Sequence, residues 1–208
     1  LGYSDMLNRW GWEDEEILDE GISAIRLEAE NMKSLIERLL FLARADLNRQ
    51  VLNREIIDMA ALLADVAHKG QLIAAQHTVT LKENVPARIL GDMVMIRQML
   101  RIFLDNALKY TPAGGKIFLA SQREGDRLHV IVADTGIGIA PEHQPKVFDR
   151  FYRVDSSRSK AGAGGTGLGL AIARWIAEAH DIRLSLTSEL GRGTTIHLYI
   201  PLVKGEDK

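Results

Sequence analysis

Cysteine is absent from this chain of 208 residues. That excludes disulfides, thiolate catalysis and thiol-ligated zinc, and it removes the signature of a small secreted scaffold. An excess of one charge is missing too. Lys and Arg number 26 against 28 Asp and Glu, for a net charge of −2, so no global basic field recruits nucleic acid or an acidic membrane, and any basic function must be local. No apolar run approaches the roughly 18 residues that a membrane span needs, and no signal peptide opens the chain. Two phosphate motifs are lacking as well. There is no GxxxxGK[ST] loop, and the GxGxxG spelled by Gly162, Gly164 and Gly167 follows RVDSSRSKA, a polar, strand-poor stretch, where a dinucleotide fold needs a strand. What remains is an ordinary composition, 46% hydrophobic and 26% charged, enough for one good core and a smaller element. The expectation is a soluble cytoplasmic fragment.

What is present centres on Gly162 to His180, GAGGTGLGLAIARWIAEAH. Gly162, Gly164, Gly165, Gly167 and Gly169 let backbone approach a ligand closely. They run straight into an amphipathic helix with Leu168, Ala171, Ile172, Trp175 and Ala179 at helical spacing. A helix start preceded by bare backbone offers several outward N–H groups, and with the helix dipole these bind an anion, phosphate first of all. A structural turn is the competing reading of the same glycines.

Taken in order, LGYSDMLNR reads as a short helical piece, broken at Trp10-Gly11-Trp12. A long helix follows. Leu18, Ile22, Ile25, Ala29, Met32, Ile36, Leu39 and Ala43 alternate steps of four and three, and Leu35, Leu40 and Leu42 widen that stripe. This is the pattern of a helical bundle completed by a second copy of the chain, with packing on the following domain as the intramolecular alternative. Polar ADLNRQ and LNRE mark a boundary. It gives a helical part over 1–50 and a mixed part over 51–208. In the second part, strands are expected near 55–59, 77–82, 88–90, 116–122, 127–133, 183–187 and 194–200. Helices are expected at 60–76 and after Asp92, the latter carrying Ile96, Met99, Leu100, Phe103, Leu104, Ala107 and Leu108 on one face. The predicted class is α+β, a two-layer α/β sandwich with helices on one face of a mixed sheet, preceded by a long bundle helix.

Three signals carry chemistry in that part. Asp134-Thr135-Gly136-Ile137-Gly138 follows the strand RLHVIVA, so a carboxylate emerges at a strand end beside glycines against which a flat ligand can lie. Such a carboxylate accepts the exocyclic amine of adenine; an Asx-capped turn accounts for it equally well. Asn106, Lys109 and Tyr110 stand at i, i+3 and i+4 and share a helix face. They offer an amide oxygen for Mg²⁺, a cation for phosphate and a phenol for ribose or base. A polar helix end with an Asp105–Lys109 ion pair is the plain alternative. Finally, FDRFYRVDSSRSK places Arg153, Arg158 and Lys160 ahead of the glycines, as a basic flap over a phosphate site would.

In this order and spacing, LDNALKYTP, DTGIGI, FDRFYRVD and GGTGLGLAIA resemble the N box, first glycine box, F box and second glycine box of bacterial sensor histidine kinases, and ENMKSLIERLLFLARAD resembles the second helix of their dimerisation domain. The resemblance implies the Bergerat ATP-binding fold, with ATP and Mg²⁺ as cofactors. It casts Asn106 as the magnesium ligand, Lys109 and Arg153 as phosphate contacts, Tyr110 as a ribose or base contact and Asp134 as the adenine reader. By the same resemblance Gly136, Gly138, Gly165, Thr166, Gly167, Leu168 and Gly169 would line the pocket. It also implies a homodimer through the N-terminal helices, a response-regulator receiver domain as partner, no nucleic-acid partner, and a membrane-anchored intact protein.

Two departures stand out. Ile102 occupies the position one turn before Asn106 where the family often has a second Asn, so Mg²⁺ would keep more water. No acceptor motif of His, acidic residue and Leu-Arg-x-Pro occurs around His68, His77, His129, His143, His180 or His197. Because LGYSDML resembles the sequence just after that motif, the expectation is a chain that binds ATP without phosphorylating itself on histidine. The alternatives are a related Bergerat-fold ATPase, for which Asp105 is the only nearby water-activating carboxylate, and a binding-only regulatory module.

Overall fold

The computed structural model describes residue 5 and residues 15–47, 50–154 and 166–203. The predicted helical piece at the N-terminus, apart from Asp5, lies outside the described residues, as do Arg158, Lys160, Gly162, Gly164 and Gly165. Contacts divide the chain into two units, Leu1–Arg49 and Gln50–Lys208.

The first unit is helix α1, Glu15–Asp46. Much of its stripe is exposed: Ile22, Met32 and Ile36 are each more than half exposed, whereas Leu42 is buried. No helix among the described residues is long and apolar enough to cross a membrane.

In the second unit the elements run β1 (Glu55–Asp58), α2 (Met59–Ile73), β2 (Thr78–Asn84), β3 (Arg88–Gly91), α3 (Met93–Tyr110), β4 (Lys116–Glu124) and β5 (Arg127–Asp134), then α4 (Gly169–Ala179), β6 (Arg183–Glu189) and β7 (Gly193–Pro201). A 3₁₀ turn over Gln144–Lys146 lies between β5 and α4. Five strands form one sheet in the order β2-β4-β5-β7-β6. Strand β2 runs parallel to β4, and the other pairs are antiparallel. The short strand candidates at 55 and 88 pair with each other, Ile57 opposite Ile89, and stay out of that sheet.

Period-two alternation decides which face is covered. Ile117, Leu119, Leu128, Val130, Val132, Ile196, Leu198 and Ile200 are buried on one side. Onto that side α3 packs Ile96, Met99, Leu100, Phe103, Leu104 and Ala107, and α4 packs Ala171, Ile172 and Ile176. Helix α3 starts where it does because Asp92 Oδ1 accepts the N–H groups of Val94 and Met95, which otherwise lack helical partners. It ends at Thr111, extended ahead of Pro112. The same logic sets α2, where Asp58 accepts the Ala61 N–H at 3.0 Å.

Candidate nucleotide-binding site

The end of α3 and the loop after β5 are held together by backbone. The N–H of Ile137 donates to the carbonyl of Tyr110 at 3.1 Å. Gly136 is buried against the same carbonyl, and a Cβ there would crowd both it and the Asp134 carboxylate. Gly138 has φ of +69°, and a Cβ would overlap the carbonyl of Glu189 in the β6–β7 turn. These two glycines are thus demanded by close approach of backbone to backbone.

Asp134 closes β5, partly buried. Its Oδ1 accepts the N–H of Gly136 at 2.8 Å and of Thr194 at 3.2 Å, while Oδ2 is uncommitted among the described residues. Burial pushes the carboxyl above its usual range, and the Gly136 and Thr194 amides pull against that. The Asx turn is therefore formed by one oxygen alone: Oδ1 caps it, and Oδ2 has no partner among the described residues.

Asn106, Lys109 and Tyr110 occupy the last turns of α3. The Asn106 amide, half-buried, has no hydrogen-bond partner among the described residues. Lys109 Nζ stands 5.3 Å from the centre of the Tyr110 ring. The ammonium is held below the ordinary lysine range by partial burial and then by the neighbouring charge of Arg153. Two cations from separate segments thus lie close to each other. The alternative Asp105–Lys109 pair does not form; Asp105 Oδ2 lies 3.7 Å from Arg101 Nε on the exposed side of α3.

The second glycine segment enters the description at Thr166. Phe151, with φ of 62°, donates its N–H to the carbonyl of Gly167 at 2.9 Å, tying the FDRFYR segment to the start of α4. Leu168 is fully buried and gives α4 no side-chain cap, so the first-turn amides from Gly169 onward keep no side-chain partner at the cap. Of the predicted pocket residues only Gly165 lies outside the described residues. An apolar recess of about 510 Å³ lined by Ala29, Met32, Lys33, Ile36 and Glu37 is elsewhere, on α1, and contains none of the predicted site residues.

The sequence did not reveal Thr194, Ser188 or Gln144. Thr194 contributes a backbone N–H, which any residue type carries, so its side chain gives no signal. Ser188 and Gln144 act through partners in distant segments. No group of three or more His, Asp or Glu side chains among the described residues is placed to hold a metal. A hard cation at this site would therefore lean on the Asn106 oxygen, phosphate oxygens and water, a set suited to Mg²⁺.

Comparison with known proteins shows the family. Residues 91–204 match the family model for histidine kinase-, DNA gyrase B- and HSP90-like ATPases. The sensor histidine kinase YkoH of Bacillus subtilis is 38% identical over 93% of this chain and 42% of its own length. WalK of the same organism is 36% identical over 96% of this chain and 33% of its own length. The chain thus spans less than half of these relatives. Among solved structures, full-length ShkA in complex with AMPPNP superposes with a TM-score of 0.75 at 27% identity, over 90% of this chain and 39% of that one. The Acinetobacter baumannii histidine kinase AdeS, at 23% identity and a TM-score of 0.69, shares the fold over 95% of this chain and 93% of its own. With sequence and fold in agreement, the chain belongs to the family of histidine kinase-, DNA gyrase B- and HSP90-like ATPases.

Proposed function

We propose that this chain is the ATP-binding catalytic part of a sensor histidine kinase, transferring the γ-phosphoryl of Mg-ATP to a histidine of a helical dimerisation domain for relay to a response-regulator receiver. One observation carries the reading: a carboxylate with a single free oxygen, an unpartnered amide and two neighbouring cations surround the end of α3. Asp134 Oδ2 would accept the adenine amine. Tyr110 would lie against ribose or base. Asn106 would hold Mg²⁺, whose charge offsets that of the phosphates. Lys109 and Arg153 would orient the phosphate chain, and the α4 amides behind Gly167 and Gly169 would receive an anionic oxygen. Catalysis then consists mainly of positioning and charge neutralisation. The exposed stripe of α1 supports pairing with a second copy, and a membrane-anchored whole protein belongs to the same reading.

A water-activating ATPase is disfavoured, because Asp105 is exposed and beside Arg101. Five of the six histidines of the catalytic unit also have other work. Among them His77 contacts the Thr111 carbonyl, His143 the Tyr152 hydroxyl, His180 Asp92 and Ile176, and His129 pairs with His197.

Two measurements test the proposal. Calorimetric titration with a non-hydrolysable ATP analogue and Mg²⁺ should show one site per chain. γ-Labelled ATP should give acid-labile, base-stable label on a separately supplied helical hairpin carrying an acceptor histidine, and none on the 208-residue chain. Stoichiometric phosphohistidine on the chain itself, or release of inorganic phosphate with no label on the hairpin, would overturn it.

A further inference from the structure

Two side chains outside the nucleotide motifs join the loop after Asp134 to the β6–β7 turn. Ser188 Oγ accepts the N–H of Ile139 at 2.8 Å and donates to the carbonyl of Gly193 at 2.8 Å. Thr194 Oγ1 lies 2.9 Å away and supplies a proton to its remaining lone pair. A serine hydroxyl has one proton to give and two lone pairs to fill, so Ser188 is used to capacity. Gln144, at the first position of the 3₁₀ turn, spends both amide protons, one on the Ile139 carbonyl and one on the Ser188 carbonyl, each at 2.9 Å. A backbone bond from the Gly191 N–H to the Ile137 carbonyl, 2.8 Å, runs alongside.

These bonds converge on the segment that aims Asp134. The loop residues 136–139 begin with the Gly136 N–H that Oδ1 accepts, and the turn ends with the Thr194 N–H that the same oxygen accepts. Ser188 stands opposite Thr194 across the strands, and Glu189 opposite Gly193. Gly193 in turn lies so close to the Asp134 carbonyl that a Cβ would overlap it. If the turn moved away from the loop, Oδ1 would lose one of its two donors and the carboxylate would be free to rotate.

We propose that Ser188 and Gln144 are positioning residues for base recognition, clasping the loop after Asp134 to the β6–β7 turn so that Oδ2 stays directed at the base. This rests on the reading of Asp134 as acceptor of an adenine amine. It goes beyond that reading by assigning the selectivity for adenine to the clasp as well as to the carboxylate.

The test compares ATP with inosine triphosphate, whose base carries an oxo group where adenine carries the amine. Affinities for both would be measured by calorimetry on the full chain and on Ser188→Ala, Ser188→Thr and Gln144→Leu. The unfolding midpoint of each, free of nucleotide, serves as the control for folding. The unsubstituted chain should prefer ATP. Ser188→Ala should weaken ATP binding roughly tenfold, the size of one lost charge-assisted contact, while inosine triphosphate binding changes less than twofold. Ser188→Thr, which keeps the hydroxyl, should restore the preference. Gln144→Leu, which keeps the bulk and loses both donors, should shift it in the direction of the alanine variant, and decides the matter should Ser188→Ala fail to fold. A merely structural role would weaken both nucleotides equally. Retention of the ATP preference in folded Ser188→Ala or Gln144→Leu would overturn the clasp and leave Asp134 as base reader. Equal binding of the two nucleotides by the unsubstituted chain would instead remove Asp134 from base recognition, and the clasp with it.

Discussion

His180 joins the end of α4 to the start of α3. Its Nε2 accepts the backbone N–H of Asp92 at 3.0 Å, and its Nδ1–H donates to the Ile176 carbonyl at 2.8 Å. The ring is buried, and the two partners fix a single neutral tautomer. Asp92 in turn caps α3 and accepts the Asn53 N–H at 3.0 Å. One imidazole therefore sets the relation between the helix that carries Asn106 and Lys109 and the helix whose first turn has no side-chain cap.

His180→Ala should cost about 2–6 kcal/mol, because it strands two buried backbone groups at roughly 1–3 kcal/mol each. In a domain of this size that lowers the unfolding midpoint by on the order of 10 °C. Thermal denaturation followed by circular dichroism checks it, and a midpoint within about 2 °C of the parent would mean that water replaces the ring.

How far the sequence exposed these relations depends on their range. Helix α3 was legible because Asp92, the apolar spacing and Pro112 are local signals, and β4, β5, β6 and β7 because alternation and Gly125 or Gly191 mark their turns. Asn106, Lys109, Tyr110 and Asp134 stood out as candidates through residue type and motif order, and the fold brings Tyr110 and the loop after Asp134 together. The β1–β3 pairing was not, since four-residue strands carry no record of their partner. Nor was the role of His197. Its outward alternation is visible in the sequence, but its contact with His129 on the neighbouring strand depends on a register that only the folded sheet defines.

Asp134→Asn separates binding from stability. Burial raises this carboxyl in the folded chain, so the folded state bears the cost of the charge at pH values above the folded pKa and is relieved as pH falls toward the unfolded value. An amide carries no such charge and can still accept from Gly136 and Thr194. The nucleotide-free variant should therefore unfold at or above the parent's midpoint near neutral pH. It should also lose most of the ~2.7 kcal/mol of stabilisation that ligand at 100 times Kd confers. Differential scanning fluorimetry with and without nucleotide measures both, and an undiminished nucleotide shift would refute the assignment.

The face of the sheet opposite α3 and α4 should make the domain acid-sensitive. His129 Nδ1 meets Glu124 at 2.7 Å, its Nε2 meets His197 Nδ1 at 3.0 Å, and His197 Nε2 meets the Thr187 hydroxyl at 3.2 Å. Tyr199 stacks on His129, with Arg183 over the tyrosine ring at 4.9 Å. Burial, then the neighbouring His129, hold His197 below the usual imidazole range, with Glu124 opposing. Since the folded value lies below the unfolded one, the unfolded chain takes the proton first as pH drops below about 6.5, and stability is lost on acidification. Glu124, lowered by hydrogen bonds from His129 and Gln122, adds a loss of the same sign at lower pH. Between about pH 7 and about pH 5 the unfolding midpoint should thus fall less in His197→Asn than in the parent. Parallel pH profiles for the two proteins would contradict this.

Lys109→Ala should act on the phosphates and not on the base. Partial burial and the charge of Arg153 hold the Lys109 ammonium below its ordinary range, so the folded chain bears a cost for keeping two cations together, and a phosphate oxygen bound between them would relieve that repulsion. A charge-assisted contact contributes about 1.5–3 kcal/mol, so removing it should weaken ATP binding by roughly tenfold to a hundredfold. Adenosine has no phosphate, and its affinity should stay within twofold of the parent's. The shift also sets a pH dependence. Lys109 is charged below its folded pKa and neutral above it, so ATP affinity should decline as pH rises through a value lower than that of a free lysine, while the fold itself is slightly relieved by the lost proton. In Lys109→Ala the alkaline decline should disappear, because the titrating group is gone. Calorimetric titrations of ATP and adenosine across the alkaline range separate the two effects: equal weakening of both ligands would make Lys109 a scaffold residue, and a decline that persists in the variant would move the titration to another group.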